Sequence, residues 1–245
     1  VSRYSDPHAD FYADDDLDPD RSPLMRRRRP LRSVFWIIVL LALVPFALTL
    51  VYAVVPPVST LMLARWATLR PVERQWTPIE NISPLLARSV IASEDARFCS
   101  HAGVDWNAIR LVMEEAGEDG PARGASTITM QVAKNLFLWN GFAYVRKPLE
   151  IVLAHWIDLV WSKKRVMEVY LNIAEWGPDG VFGAEAGARH GFGKPASRLS
   201  GREAGLMAAA LPNPVVRNTA RPTRAQNRRA GTIAGRGADT SCIAG

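Results

Sequence analysis

Cysteine is scarce in this chain: 245 residues hold two, Cys99 and Cys242. They lie far apart and lack the paired spacing of a zinc site or redox motif, so neither a metal centre nor a disulfide framework is supported. Both read as ordinary small side chains. Period-two alternation of apolar residues is nearly missing as well, which argues against a sheet-based domain. Length for two large domains is lacking too, and 48% hydrophobic residues fit one catalytic-sized domain with a substantial core. The balance of charge excludes little. Thirty Lys and Arg against 24 Asp and Glu give a net +6, which favours phospholipid headgroups, nucleic acid or diphosphates without choosing among them.

Charge is wholly absent from residues 34–55, VFWIIVLLALVPFALTLVYAVV. At about 1.5 Å per residue such a helix reaches roughly 33 Å, enough to cross the hydrocarbon core of a bilayer. Pro45 is expected to kink it without breaking it. The preceding residues 1–33 are rich in Asp and end in a basic cluster, Arg26 to Arg29 with Arg32, and are expected to be disordered. The arginines place this tail in the cytoplasm and everything after Val55 outside. Pro56 and Pro57 end the span and open a linker and membrane-proximal segment, 56–79.

Beyond residue 80 the pattern is mainly helical. Ser83 and Pro84 open a helix with Leu86, Val90 and Ile91 on one face, ending near Glu94. Asp105 is expected to cap a second helix carrying Ile109, Val112 and Met113, and Gly117 to Ala125 forms a flexible loop. Ser126 is expected to cap a third, where Ile128, Val132 and Leu136 face the core beside a polar stripe of Thr127, Gln131 and Lys134. Pro148 opens an apolar helix to Trp161, and Ser162 caps another with Val166, Val169 and Tyr170.

Taken singly, Glu94, Asp95 and His101 fit surface charge and a core histidine. The ordered series EDARFCSHAG, GASTITMQVAKN, RKPLE, KKRVMEVYLN and REAGLMAAALPNP is far more specific. It resembles the five blocks of the family 51 peptidoglycan glycosyltransferases, in order and with near-identical spacing, over residues 80–214. With the anchor, the chain looks like the monofunctional biosynthetic form. The resemblance implies a mainly α, lysozyme-like helical domain behind a single N-terminal transmembrane helix, set on the outer face of the inner membrane. It implies polymerisation of lipid II into β-1,4-linked glycan strands, with lipid II, the growing strand, the membrane and proteins of cell-wall synthesis and division as partners, and no nucleic acid. By position in the blocks, Glu94 matches the catalytic base. Ser126, Gln131 and Lys134 match substrate contacts, and so do Arg146 and Lys147. Glu150 matches a second catalytic carboxylate, whereas Tyr170 and Asn172 look like structural supports.

The chemistry suits these groups. A base must take the proton of an attacking sugar hydroxyl, and a carboxylate near a helix C-terminus among apolar neighbours is suited to accept it. The departing polyprenyl diphosphate needs fixed cations, for which Lys134, Arg146 and Lys147 are the candidates. Arg146 and Lys147 read equally well as membrane-facing charge. Glu150, placed in the first turn after Pro148, is expected to stay ionised and to orient groups rather than donate a proton. No cofactor is required by the residues and no metal-ligand cluster is legible; a divalent cation such as Mg²⁺ is implied only by the resemblance.

Two positions depart from the family: Met130 stands where a glutamine is usual, and Phe142 where many relatives have arginine. Weaker substrate affinity is the expected result. Residues 215–245, rich in Gly, Arg and Ala, lack the apolar period of a closing helix and are expected to be an atypical, disordered tail. Two other functions stay open: a glycan-cleaving lysozyme relative, and a catalytically weak anchored scaffold that binds cell-wall precursor.

Overall fold

The computed structural model describes residues 24–115 and 124–244, the side chains of 24–31 excepted. Of the disordered tail expected over 1–33, residues 1–23 lie outside the described residues, as does the loop from Gly117 to Arg123, whereas residues 24–33 are helical, a correction. Contacts divide the chain into two units, Val1–Leu43 and Val44–Gly245.

Helix α1 (Leu24–Tyr52) contains a stretch, Arg32–Tyr52, long and apolar enough to cross a membrane. In the first unit Phe35, Trp36, Ile37, Leu40 and Leu41 are all more than half exposed, as suits a lipid-facing helix. The helix starts nine residues or more before the expected span and stops at Tyr52, short of Val55. Residues preceding proline are pushed out of the helical region, and Pro56 does this to Val55.

The second unit is mostly helical. Its last turns of α1 are fastened by Trp161 Nε1 donating to Thr49 O at 2.8 Å and by Arg165 Nη2 donating to Tyr52 O and Val55 O, both at 2.9 Å. The segment 56–79, expected as a linker, is structured. It holds α2 (Thr60–Ala67) and strand β1 (Glu73–Arg74). Ser59 caps α2 by accepting from Met62 N, Met62 is fully buried, and Thr60 Oγ1 donates to Leu138 O at 2.8 Å.

Then follow α3 (Pro84–Glu94), α4 (Trp106–Glu115), α5 (Ile128–Phe137), α6 (Ala143–Val160) and α7 (Lys163–Ile173). Strands β2 (Glu175–Gly177) and β3 (Val181–Phe182) join β1 in a small sheet ordered β1-β3-β2, with β1 parallel and β2 antiparallel to β3. Helices α8 (Ala184–Phe192), α9 (Gly201–Ala210) and α10 (Arg224–Gly235) complete the unit. The core is where the apolar periods meet: Leu86, Val90 and Ile91 of α3, Ile128 and Val132 of α5, and Val166, Met167 and Val169 of α7 are fully buried. Met113, expected on the inner face of α4, is exposed instead.

The tail over 215–245 is a correction. Thr223 and Gln226 form a reciprocal capping box, and α10 buries Gln226, Ala230 and Ile233, one face at i, i+4 and i+7. Gly205 of α9 permits the contact, because a Cβ there would lie 2.6 Å from Ala230 O. The cysteines are a second correction: Cys99 and Cys242 form a disulfide closing 143 residues of chain. It ties the short 3₁₀ turn Ser241–Ile243 to the turn Phe98–Ser100, four residues past Glu94.

Candidate active site

Glu94 is the last residue of α3, so its side chain leaves the helix where the backbone turns away at Asp95. Two neutral donors hold it: Ser93 Oγ to Oε1 at 3.1 Å and Gln131 Nε2 to Oε2 at 3.2 Å. Asp95, its neighbour, is buried and fully engaged. It accepts from Ile128 N at 2.9 Å, capping α5, and its two oxygens lie 2.9 and 3.0 Å from His101 Nε2. The expected capping of α4 by Asp105 is present, with Ala108 N donating at 2.8 Å, and Arg97 pairs with the same carboxylate. Carboxylates that flank Glu94 are therefore used in holding its loop, while Glu94 itself carries no cationic partner among the described residues.

The cap of α5 is Thr127, whose Oγ1 accepts from Met130 N, and not Ser126 as expected. Ser126 is released for another contact: its Oγ accepts from Lys147 Nζ at 2.6 Å. Lys147 Nζ also donates to Glu150 Oε2 at 3.1 Å, and Arg146 Nε lies 2.6 Å from Glu150 Oε1 as an ion pair without hydrogen-bond alignment. Glu150 is only 2% exposed. Its expected place in a first turn is corrected, because α6 begins at Ala143 and takes Pro148 into its interior. A proline there forfeits only the bond to Tyr144 O, in a turn whose Tyr144 side chain is wholly exposed. Two cations, Arg146 and Lys147, flank Glu150, which does not lie at a helix N-terminus. Arg146 and Lys147 accordingly turn toward Glu150 and Ser126.

Lys134 stands between the two carboxylates. It is half-buried and makes no hydrogen bond or ion pair among the described residues. Burial, then the nearby charges of Arg146 and Lys147, push its ammonium below the ordinary lysine value, against the opposing pull of Glu150 and Glu94. A cation held without a partner is poised to take an anion. Two separate cavities hold these groups: one of about 230 Å³ lined by Glu94, Arg97, Asp105 and Ser126, the other of about 240 Å³ lined by Gln131, Lys134, Asn140, Tyr170 and Glu175.

All seven predicted site residues thus fall in one connected cluster. Met130, expected to cost an amide contact, is fully buried against Val104 and Ala154 and faces the core. Phe142 is exposed and left-handed at the start of α6. Asn172 is the support it resembled, exchanging two 2.8 Å bonds with the backbone of Thr77. Tyr170 does more, since its hydroxyl donates to Gln131 Oε1 at 3.2 Å. Among the described residues no three acidic, His or Cys side chains cluster as a metal cage, and Asp95 and Glu150 are already spoken for. The residues present do not build a Mg²⁺ site, and no step is routed through one.

A helical unit that sets one neutrally held carboxylate and one ion-paired carboxylate around an unpartnered lysine has the equipment of a glycosyl-transferring enzyme. The transglycosylase family model matches residues 62–236, and the chain belongs to that family. Among curated relatives, the biosynthetic peptidoglycan transglycosylase of Brucella suis biovar 1 is 57% identical over 202 residues, covering 82% of this chain and 90% of the relative. That of Rhodopseudomonas palustris (strain HaA2) is 55% identical over 210 residues, covering 85% and 92%. That of Agrobacterium fabrum is 52% identical over 204 residues, covering 82% and 90%. The family match extends on both sides of 80–214, taking in α2 and α10.

Proposed function

We propose that this chain polymerises lipid II into β-1,4-linked glycan strands with release of polyprenyl diphosphate. The observation that carries this is the contrast between Glu94, held only by neutral donors, and the unpartnered ammonium of Lys134, which lies close enough to feel its charge. Glu94 takes the proton of the 4-hydroxyl of the incoming sugar as its oxygen bonds to the anomeric carbon of the growing strand. The bond from that carbon to the diphosphate breaks, and its electron pair leaves with the diphosphate. Lys134 meets the charge that develops there, aided by Arg146 and Lys147. A hydrolase has no use for such a cationic clamp. The relatives' shared name supports peptidoglycan as the product.

The chain is anchored with its N-terminal end in the cytoplasm and its catalytic unit on the periplasmic face of the inner membrane. The arginines before the apolar span support that orientation. So does the Cys99–Cys242 bond, of a kind that persists in oxidising compartments.

The test uses the detergent-solubilised full chain with labelled lipid II, beside Glu94→Gln, with products separated by chain length. Polymer from the unaltered chain and none from the variant is the expected result. Equal polymer from both removes Glu94 as the base; no polymer from either, or only shortened glycan, sinks the polymerase.

A further inference from the structure

We propose that Tyr170 is a positioning residue for Glu94, acting through Gln131 as the middle of a three-member relay from α7 across α5 to the end of α3. The proposal rests on Glu94 being the base. Tyr170 is 1% exposed, and an aromatic so placed is fully explained by packing unless its hydroxyl has a task. That hydroxyl donates to Gln131 Oε1, and Gln131 Nε2 donates to Glu94 Oε2, each at 3.2 Å.

The two bonds fix each other's direction. An ionised carboxylate only accepts, so the amide must turn its NH₂ toward Glu94 and its carbonyl toward Tyr170, which must then donate. Burial, reinforced by the negative charge of Glu94 and Asp95, pushes the phenol well above its ordinary value, so the proton stays in place at every working pH. A flipped amide would present its carbonyl to Glu94 and repel the carboxylate, and it would take away the acceptor of the buried Tyr170 hydroxyl proton. Tyr170 thereby adds to the cost of that flip. It therefore holds one oxygen of the base and leaves the attacking hydroxyl to find the carboxylate in a single orientation.

Steady-state polymerisation of lipid II by Tyr170→Phe, Gln131→Met and the double variant, in the full chain over a pH series, tests this. The charged and titratable groups around Glu94 are Asp95, Arg97 and Asp105 on its own side, Lys134 of α5 and Tyr170 of α7, and only the last is altered by Tyr170→Phe. A lost orienting hydrogen bond corresponds to roughly a tenfold fall in kcat. KM should be unchanged, and the acid limb of the pH profile should move to higher pH because the carboxylate has lost a donor. In the Gln131→Met background Tyr170→Phe should cost less than a further twofold. Multiplying losses, or an unshifted acid limb, would overturn the relay and leave Tyr170 a packing residue. Should Tyr170→Phe fail to fold, Gln131→Met must shift the acid limb by itself, and its failure to do so is equally decisive. Glu94→Gln run in parallel separates the two levels: activity retained there removes the base, whereas an inactive Glu94→Gln beside an unaffected Tyr170→Phe removes only the relay.

Discussion

The end of α3 and the early turns of α6 each set a carboxylate near Lys134, and the two are held in opposite ways. Glu94 accepts from a serine and a glutamine; Glu150 is flanked by an arginine and a lysine. A carboxylate fixed by neutral donors can gain a proton without leaving a neighbouring charge stranded. One tied to two cations is itself a partner they would lose, and of the two Arg146 is largely buried. One end of the cleft is built to change charge, the other to keep it.

The sharpest way to break that contrast is to remove each charge in turn. Glu94→Gln should lower polymerisation on lipid II by about 10²–10⁴-fold, the scale of general-base catalysis, with an unaltered thermal midpoint. Glu150→Gln should instead cost about 2–4 kcal/mol of stability by stranding Arg146, read as a melting point lower by roughly 4–16 °C, in addition to any loss of rate. If both variants lose rate and neither loses stability, the two carboxylates do not differ as described.

A second test separates the ends by their tethers. Cys99 lies five residues after Glu94, and its bond to Cys242 fastens the C-terminal turn to that loop and to nothing in α6. Cys99→Ala with Cys242→Ala should destabilise by about 2–5 kcal/mol, as expected for a bond closing so long a stretch of chain. Hydrogen exchange should rise around residues 95–101 and stay unchanged in α6. A rise spread evenly over both would show that the bond holds the whole unit rather than the Glu94 end.

Much of this arrangement is legible in the sequence, and what is not has physical reasons. Asp105 and Ser162 mark the starts of α4 and α7 because cap chemistry is local, whereas α3 starts at Pro84 with Ser83 in the cap position but donating its hydroxyl to Leu199 O instead. The stripe of Thr127, Gln131 and Lys134 reads as a solvated face, yet it lines the cleft; polarity alone does not tell water from substrate. Pro148 misleads as a helix start because a proline in a wet early turn forfeits little. Helix α10 is hidden by a buried face of Gln, Ala and Ile, although its T-x-x-Q capping box was there to be seen. The disulfide leaves no spacing signal across 143 residues. Its hint lay in the expected topology, under which both cysteines would stand where thiols oxidise.

The smallest expected effect on stability bears on what lies between the two ends. Lys134 is the cation that neither carboxylate has claimed, and burial holds it below the ordinary lysine value of 10.5. In the unfolded chain the same group binds its proton more tightly, so between the lowered folded value and 10.5 unfolding takes up protons. The fold therefore gains stability as pH rises through that window. Lys134→Met removes the unpaired charge and keeps the stem. It should raise the thermal midpoint at neutral pH by about 2–4 °C, for roughly 1 kcal/mol, and abolish the gain toward alkaline pH. The same variant should lose about 10²–10³-fold in polymerisation, because a preorganised donor to the leaving diphosphate is gone. A variant that melts lower than the unaltered chain would mean that Lys134 is already satisfied in the fold. The clamp would then reduce to Arg146 and Lys147, and the charge-keeping end of the cleft would do the work assigned to its middle.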